Sequence, residues 1–125
     1  MPPGTLQAPV QSGPRGGPMT YARFWPRYLA AHRDRRTRVL HYLGTGAAVL
    51  LLGFAAAARD WRLLVAAPVV GYGCAWLGHA VFERNRPETF SHPLWSLCSD
   101  FRMLALFLAG RIGGEMRRLE IGRQQ

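Results

Sequence analysis

Four histidines carry the clearest chemistry in this chain: His32, His41, His79 and His92. Imidazole is the commonest neutral metal ligand, binding through either ring nitrogen. Carboxylates lie nearby, but the two cysteines, Cys74 and Cys98, have no CxxC spacing. Such a set suits iron, zinc or copper rather than calcium or an iron–sulfur cluster. Four histidines in 125 residues is an ordinary count. Any one of them could be an interfacial hydrogen-bonding residue. Their placement along the chain is what brings them together.

That placement depends on two apolar runs. Val39 to Ala58 and Leu63 to Phe82 are each twenty residues long and free of formal charge. Each is long enough to cross a hydrocarbon core of roughly 30 Å at about 1.5 Å per residue. Arg59-Asp60-Trp61-Arg62 forms a short turn between them. The pair reads as a transmembrane hairpin. A chain this small has little else with which to bury two helices that are apolar all round. His41 lies in the first turn of the first run and His79 one turn from the end of the second. In antiparallel helices both fall at similar depth, and His32 and His92 flank the same side. Gly71, Ala75, His79 and Glu83 form an i, i+4 stripe that faces His41, Thr45 and Ala48 if small residues line the contact.

The flanking segments complete the bundle. Tyr21, Trp25, Tyr28 and His32 recur on one face of a helix between Met19 and His32, with Arg23 and Arg27 opposite. Pro26 places its ordered start near Phe24. Aromatic and Arg faces together suit a helix at a membrane surface. His32 to Arg38 is a basic connector. Leu94, Leu97, Phe101, Leu104 and Leu108 mark a C-terminal helix that carries Asp100 and Arg102. A charge at mid-bilayer costs about 2.5–3.5 kcal/mol, so this helix reads as amphipathic or partly inserted. The fold class expected is therefore all-α, an integral membrane helical bundle. Residues 1–18, rich in Pro and Gly and lacking the apolar core of a secretory signal, form a disordered tail. Residues 19–114 form the helical metal-site domain, and 115–125 a basic C-terminal tail.

The 16 basic residues are all Arg, against 7 acidic ones, for a net charge of +9. Such a charge raises nucleic acid as a partner. However, the Arg residues gather at the ends of apolar runs and match no basic recognition motif, so no nucleic-acid partner is expected. Six lie between Arg23 and Arg38, before the first run. By the positive-inside rule they hold that side, with all four histidines, in the cytoplasm. The use of Arg throughout, beside many Ala and Gly, fits a GC-rich bacterial genome and hence the inner membrane.

Several motifs resemble one known family. Phe24-Trp-Pro-Arg-Tyr-Leu-Ala-Ala-His32 and Arg38-Val-Leu-His-Tyr-Leu-Gly-Thr45 form the first. Gly71-Tyr-Gly-Cys-Ala-Trp-Leu-Gly-His79 opens the second, which runs through Phe82-Glu-Arg-Asn-Arg-Pro87, Thr89-Phe90, Pro93-Leu-Trp-Ser-Leu97 and Asp100-Phe-Arg-Met103. In this order, from about Tyr21 to Leu108, they resemble the small membrane proteins that include the fungal 2-hydroxy fatty acid dioxygenase of alpha-oxidation and its bacterial relatives. Thr37 stands where Asn is common in the bacterial members, and Glu88 where a small residue is common. The resemblance implies an iron(II)-dependent dioxygenase with His32, His41, His79 and His92 as its required histidines.

The function expected is oxidative removal of one carbon from a 2-hydroxy fatty acid, with Fe(2+) as cofactor and dioxygen as co-substrate. Arg38, Arg86 or Arg102 could grip the substrate carboxylate as a bidentate pair. Asp100 could serve the metal or form a salt bridge with Arg102, while Glu83 reads as a surface charge. The bilayer is the expected surrounding, and a homo-oligomer would cover the flanks that so few helices leave open. The alternative is a non-enzymatic membrane scaffold whose histidines hold a structural metal or a lipid.

Overall fold

The computed structural model describes residues 18–121. The disordered tail expected for residues 1–18 lies outside them, save Pro18. Five α-helices follow in order, and no strand occurs among the described residues. The architecture is that of a helical membrane bundle.

Helix α1 spans Tyr21–Ala30. It begins three residues before the expected Phe24 because Thr20 caps it, its hydroxyl accepting the Arg23 N–H at 3.3 Å. Pro26 lies inside the helix; its missing N–H costs one backbone bond rather than the whole turn. The aromatic face turns inward rather than toward lipid. Phe24, Trp25, Tyr28 and Leu29 are buried with Met103 and Met116 in the main apolar core.

Helix α2 spans Arg35–Ala58. The basic connector is thus shorter than expected, and Arg35, Arg36 and Arg38 are helical. Asp34 explains this: its carboxylate accepts the Arg36 N–H at 2.8 Å and pairs with the Arg36 guanidinium at 2.9 Å. Asp60 does the same at the head of α3, Trp61–Gly78, accepting the Arg62 N–H at 3.0 Å. Arg59 turns the chain with a left-handed φ of 53°. Two short-range Asp–Arg caps therefore fix where both long helices begin.

The long helices cross closely. A Cβ added to Gly44 would lie 2.8 Å from the Cys74 Cβ and 3.0 Å from the Gly71 carbonyl oxygen, so only glycine permits this approach. Ala48 meets Gly71, and Thr37 meets Gly78. The expected small-residue contact through Gly71 and Ala48 is present, with Gly44 and Gly78 added to it. Beyond Gly78 the helix widens into a π turn over His79–Glu83, closed by Arg84 at a left-handed φ of 56°.

Both helices are long and apolar enough to cross a membrane, and only 22% of each apolar window is buried within the protein. A soluble core helix would bury most of its surface, and these two do not. Leu43, Leu50, Phe54, Val65 and Val69 all point outward.

After a 3-10 turn at Glu88–Phe90, α4 spans Pro93–Leu108. Its 16 residues reach about 24 Å, short of a hydrocarbon core. It packs on α2 and α1 instead, burying Ser96, Ser99 and Met103. The last helix, α5, spans Ile112–Arg118 and runs across the expected domain boundary at 114/115. Met116 is buried, and the Trp25 indole N–H donates to Glu115 at 2.7 Å.

This last contact gives a pH prediction. Arg118 first, and then Trp25, hold the Glu115 carboxyl down from about 4.5 to about 2. A carboxyl depressed on folding stabilises the fold above its unfolded pKa, and that stabilisation is lost as pH falls through the folded value. Glu115→Gln should lower the unfolding free energy near neutral pH by on the order of 1 kcal/mol, read as a lower thermal midpoint. The gap from wild type should close as pH falls from about 4.5 toward about 2. A gap of constant size across that window would refute the assignment.

Candidate metal centre

His32 sits in the short link between α1 and α2, and three side chains pin that link through four hydrogen bonds. The Arg38 guanidinium donates through Nη1 to the His32 and Arg33 carbonyls, both at 2.9 Å. The Glu83 carboxylate, from the π turn, accepts the Asp34 N–H at 2.6 Å. The Asn85 amide donates to the Ala31 carbonyl at 3.1 Å. Glu83 is therefore a structural tie, not a plain surface charge.

Three histidines converge here. The Nε2 atoms of His32 and His41 are 2.9 Å apart, and those of His32 and His79 are 3.0 Å apart. One ligand atom from each of the three lies within 4.8 Å of the others. All three side chains are buried. They come from the α1–α2 link, the second turn of α2 and the head of the π turn.

The other ring nitrogen of each decides the tautomer. Nδ1 of His32 lies 2.6 Å from the Tyr28 carbonyl, and Nδ1 of His41 lies 3.0 Å from the Thr37 carbonyl. A carbonyl oxygen can only accept, so both Nδ1 atoms carry the proton. Nδ1 of His79 donates likewise to the Asn85 Oδ1 at 2.7 Å, since the Asn85 amide nitrogen is spent on Ala31. Burial, with His41 and His79 beside it, lowers the His32 pKa well below its usual range and keeps the ring neutral. Three neutral rings thus point three Nε2 lone pairs at one another with no proton between them. In a buried site that arrangement repels itself unless a cation fills the gap. The donor set fits a divalent transition metal, with each Nδ1–H bond orienting its ligand.

His92 is not in this group. It precedes α4, stacks on Trp95 at 5.2 Å and meets Phe24 edge-on. Its Nδ1 is buried without a hydrogen-bond partner. Asp100 makes no ion pair with Arg102 among the described residues. It accepts a hydrogen bond from the Tyr28 hydroxyl, and the Tyr28 ring packs on His32 with centroids 4.2 Å apart. Arg102 lies over the Trp25 ring at 4.0 Å, and Arg86 over Phe90 at 5.4 Å. Of the three arginines considered for a carboxylate grip, only Arg38 bonds directly to a metal-site residue. Asn85, Tyr28 and Thr37 escaped the sequence reading as supports of the histidines. The spacing of Tyr28–His32 and Thr37–His41, four residues each, was the available signal. Thr37 acts here through its backbone carbonyl, which any residue supplies, and Glu88 pairs with Arg27 at 3.3 Å.

No curated protein and no solved structure matches the chain. One family model does, over residues 19–112, a stretch holding all four histidines, Asn85 and helices α1 to α4. On that match the chain belongs to the Mpo1-like family, described as 2-hydroxy-palmitic acid dioxygenase Mpo1-like.

Proposed function

We propose that this chain is an iron(II)-dependent dioxygenase that shortens 2-hydroxy fatty acids by one carbon, releasing carbon dioxide and water. The observation that carries this reading is the convergence of three Nε2 lone pairs in a buried site, within a family named for this reaction. His32, His41 and His79 would hold the metal. Bound iron would supply the dioxygen chemistry.

The protein's own part follows from charge. Three neutral ligands leave the charge of a divalent ion uncompensated in a site shielded from water. An anionic ligand satisfies it best, and the carboxylate of a 2-hydroxy acid is one, with a hydroxyl beside it. Arg38 is anchored by one guanidinium nitrogen to the His32 backbone, which supports it as the group that holds this carboxylate. Arg86 and Arg102 rest on aromatic rings at the surface, so they are weaker candidates for that role. Asp100, bonded to Tyr28 against His32, is positioned to tune the His32 face. His92, outside the metal set, keeps a buried Nδ1 without a hydrogen-bond partner and is proposed for a role in the reaction other than metal ligation. We place α2 and α3 across a bacterial inner membrane with the histidines at the cytoplasmic boundary. The six Arg between Arg23 and Arg38, before the apolar run of α2, and the exposed apolar flanks of both helices support this.

Detergent-purified protein should bind iron and consume dioxygen with 2-hydroxypalmitic acid, yielding an acid one carbon shorter. His79→Ala should lose iron and turnover yet keep its helical circular dichroism. Loss of fold in step with function would favour the scaffold instead. Arg38→Gln should raise KM for the acid by tenfold or more in the protein that retains iron, on the roughly 1.5–3 kcal/mol typical of hydrogen bonds to charged groups. An unchanged KM would remove Arg38 from carboxylate binding. Asn85→Ala should weaken metal affinity by about 10–100-fold without touching a ligand, as loss of a ligand-orienting partner does. Unaltered affinity would show that the His79 bond to Asn85 has no such role.

A further inference from the structure

The histidines account for the head of the substrate, but a long tail must also lie somewhere. A cavity of about 260 Å³ sits between α2, α3 and α4. On α2 it is lined by Thr45, Ala48 and Leu52, and on α3 by Ala67, Gly71 and Ala75. Thr45 is four residues after His41, and Ala75 is four residues before His79. The cavity therefore begins one helical turn from two of the three metal-site histidines. From there it runs seven residues along α2 and eight along antiparallel α3, about 10–12 Å on each. The two helices give the same length and the same direction independently.

The composition of the walls explains why the space exists. Gly71 and Ala48 meet where α2 and α3 touch near Gly44, and Ala75 lies one turn further along α3. On the side facing α4 those same residues leave room they cannot fill. The polar side chains of the lining are Thr45 and Asp100, the latter already bonded to the Tyr28 hydroxyl, and Tyr72 part way along α3. The rest of the lining is apolar down to Leu52 and Ala67. The volume is below the roughly 300–1,000 Å³ of pockets that take compact ligands, and its long axis suits an alkyl segment.

We propose that this cavity holds the proximal acyl chain of the 2-hydroxy acid inside the protein, so that only the distal tail enters lipid. The proposal rests on the assignment of the carboxylate end to the histidine site. Burial of each methylene is worth about fourfold in binding. The cavity would thus favour long-chain acids over short ones independently of the chemistry at the metal.

Two measurements test this. The first uses 2-hydroxypalmitic acid carrying a mid-chain diazirine, photolysed with iron-loaded protein in detergent and mapped by peptide mass spectrometry. Adducts are expected on Leu52, Ala67 or Leu97, which line the cavity, and not on the outward-facing Leu50, Val65 and Val69. Adducts confined to the outward residues would overturn the proposal. Equal labelling of the cavity by a phospholipid with the same diazirine would also overturn it, because the space would then be a general lipid slot. The second uses Leu52→Trp and Leu97→Trp. Both positions lie at the partly exposed rim, where a larger ring can be accommodated. The ratio of kcat/KM for 2-hydroxypalmitic acid over 2-hydroxybutyric acid should fall tenfold or more, the worth of about two methylenes. A ratio unchanged in both variants would overturn the proposal. Cavity adducts without turnover of any acid would leave the cavity assigned and count against the dioxygenase reading alone.

Discussion

Three imidazole lone pairs aimed at one point are costly to bury, and much of this structure exists to aim them. Each ring spends its Nδ1 proton on an oxygen that cannot return one: Tyr28 and Thr37 through their carbonyls, Asn85 through its side chain. Those bonds remove the freedom to flip tautomer or rotate. What remains is a preformed, neutral, electron-rich pocket. A cation would relieve its repulsion, and three nitrogen donors suit a transition metal.

The supports of that pocket are mostly short-range and come from charged residues near helix ends. Asp34 starts α2, Asp60 starts α3, and Glu83 ties the π turn to the α1–α2 link. The close crossing at Gly44 and Gly71 then sets how near His41 comes to His79. The aromatic face of α1, locked by α4 and α5, holds the link from the other side. A π turn at His79 fits this scheme: such turns concentrate at functional sites because the extra residue re-aims the side chains around it.

Much of this was legible in the sequence. Two uncharged twenty-residue runs and a tight turn give a helical hairpin almost by arithmetic, and antiparallel geometry then puts His41 and His79 at one level. What stayed hidden depends on contacts between distant residues. Nothing local marks the π turn, whose last residue, Glu83, bonds to the Asp34 N–H across 49 residues. Composition read Arg35 to Arg38 as a connector because like charges disfavour a helix, whereas one Asp34 cap outweighs them. The short α5 looked like a basic tail because its one buried residue, Met116, shows no periodicity by itself. His92 lay near the others in sequence order, yet its aromatic neighbours Phe24 and Trp95 hold it outside the cluster.

The separation of the ligands along the chain has a consequence for biosynthesis. His32 and His79 are 47 residues apart, and both long helices must be threaded before the second can meet the first. The ribosome therefore releases His32 and His41 well before a third donor exists. Two imidazoles alone hold a metal weakly, so under the proposed function loading would wait until the hairpin had returned to its starting face. A chain that failed to return would strand His79 on the opposite side and stay metal-free. On the proposed membrane placement and metal assignment, metal occupancy would double as a record of correct insertion.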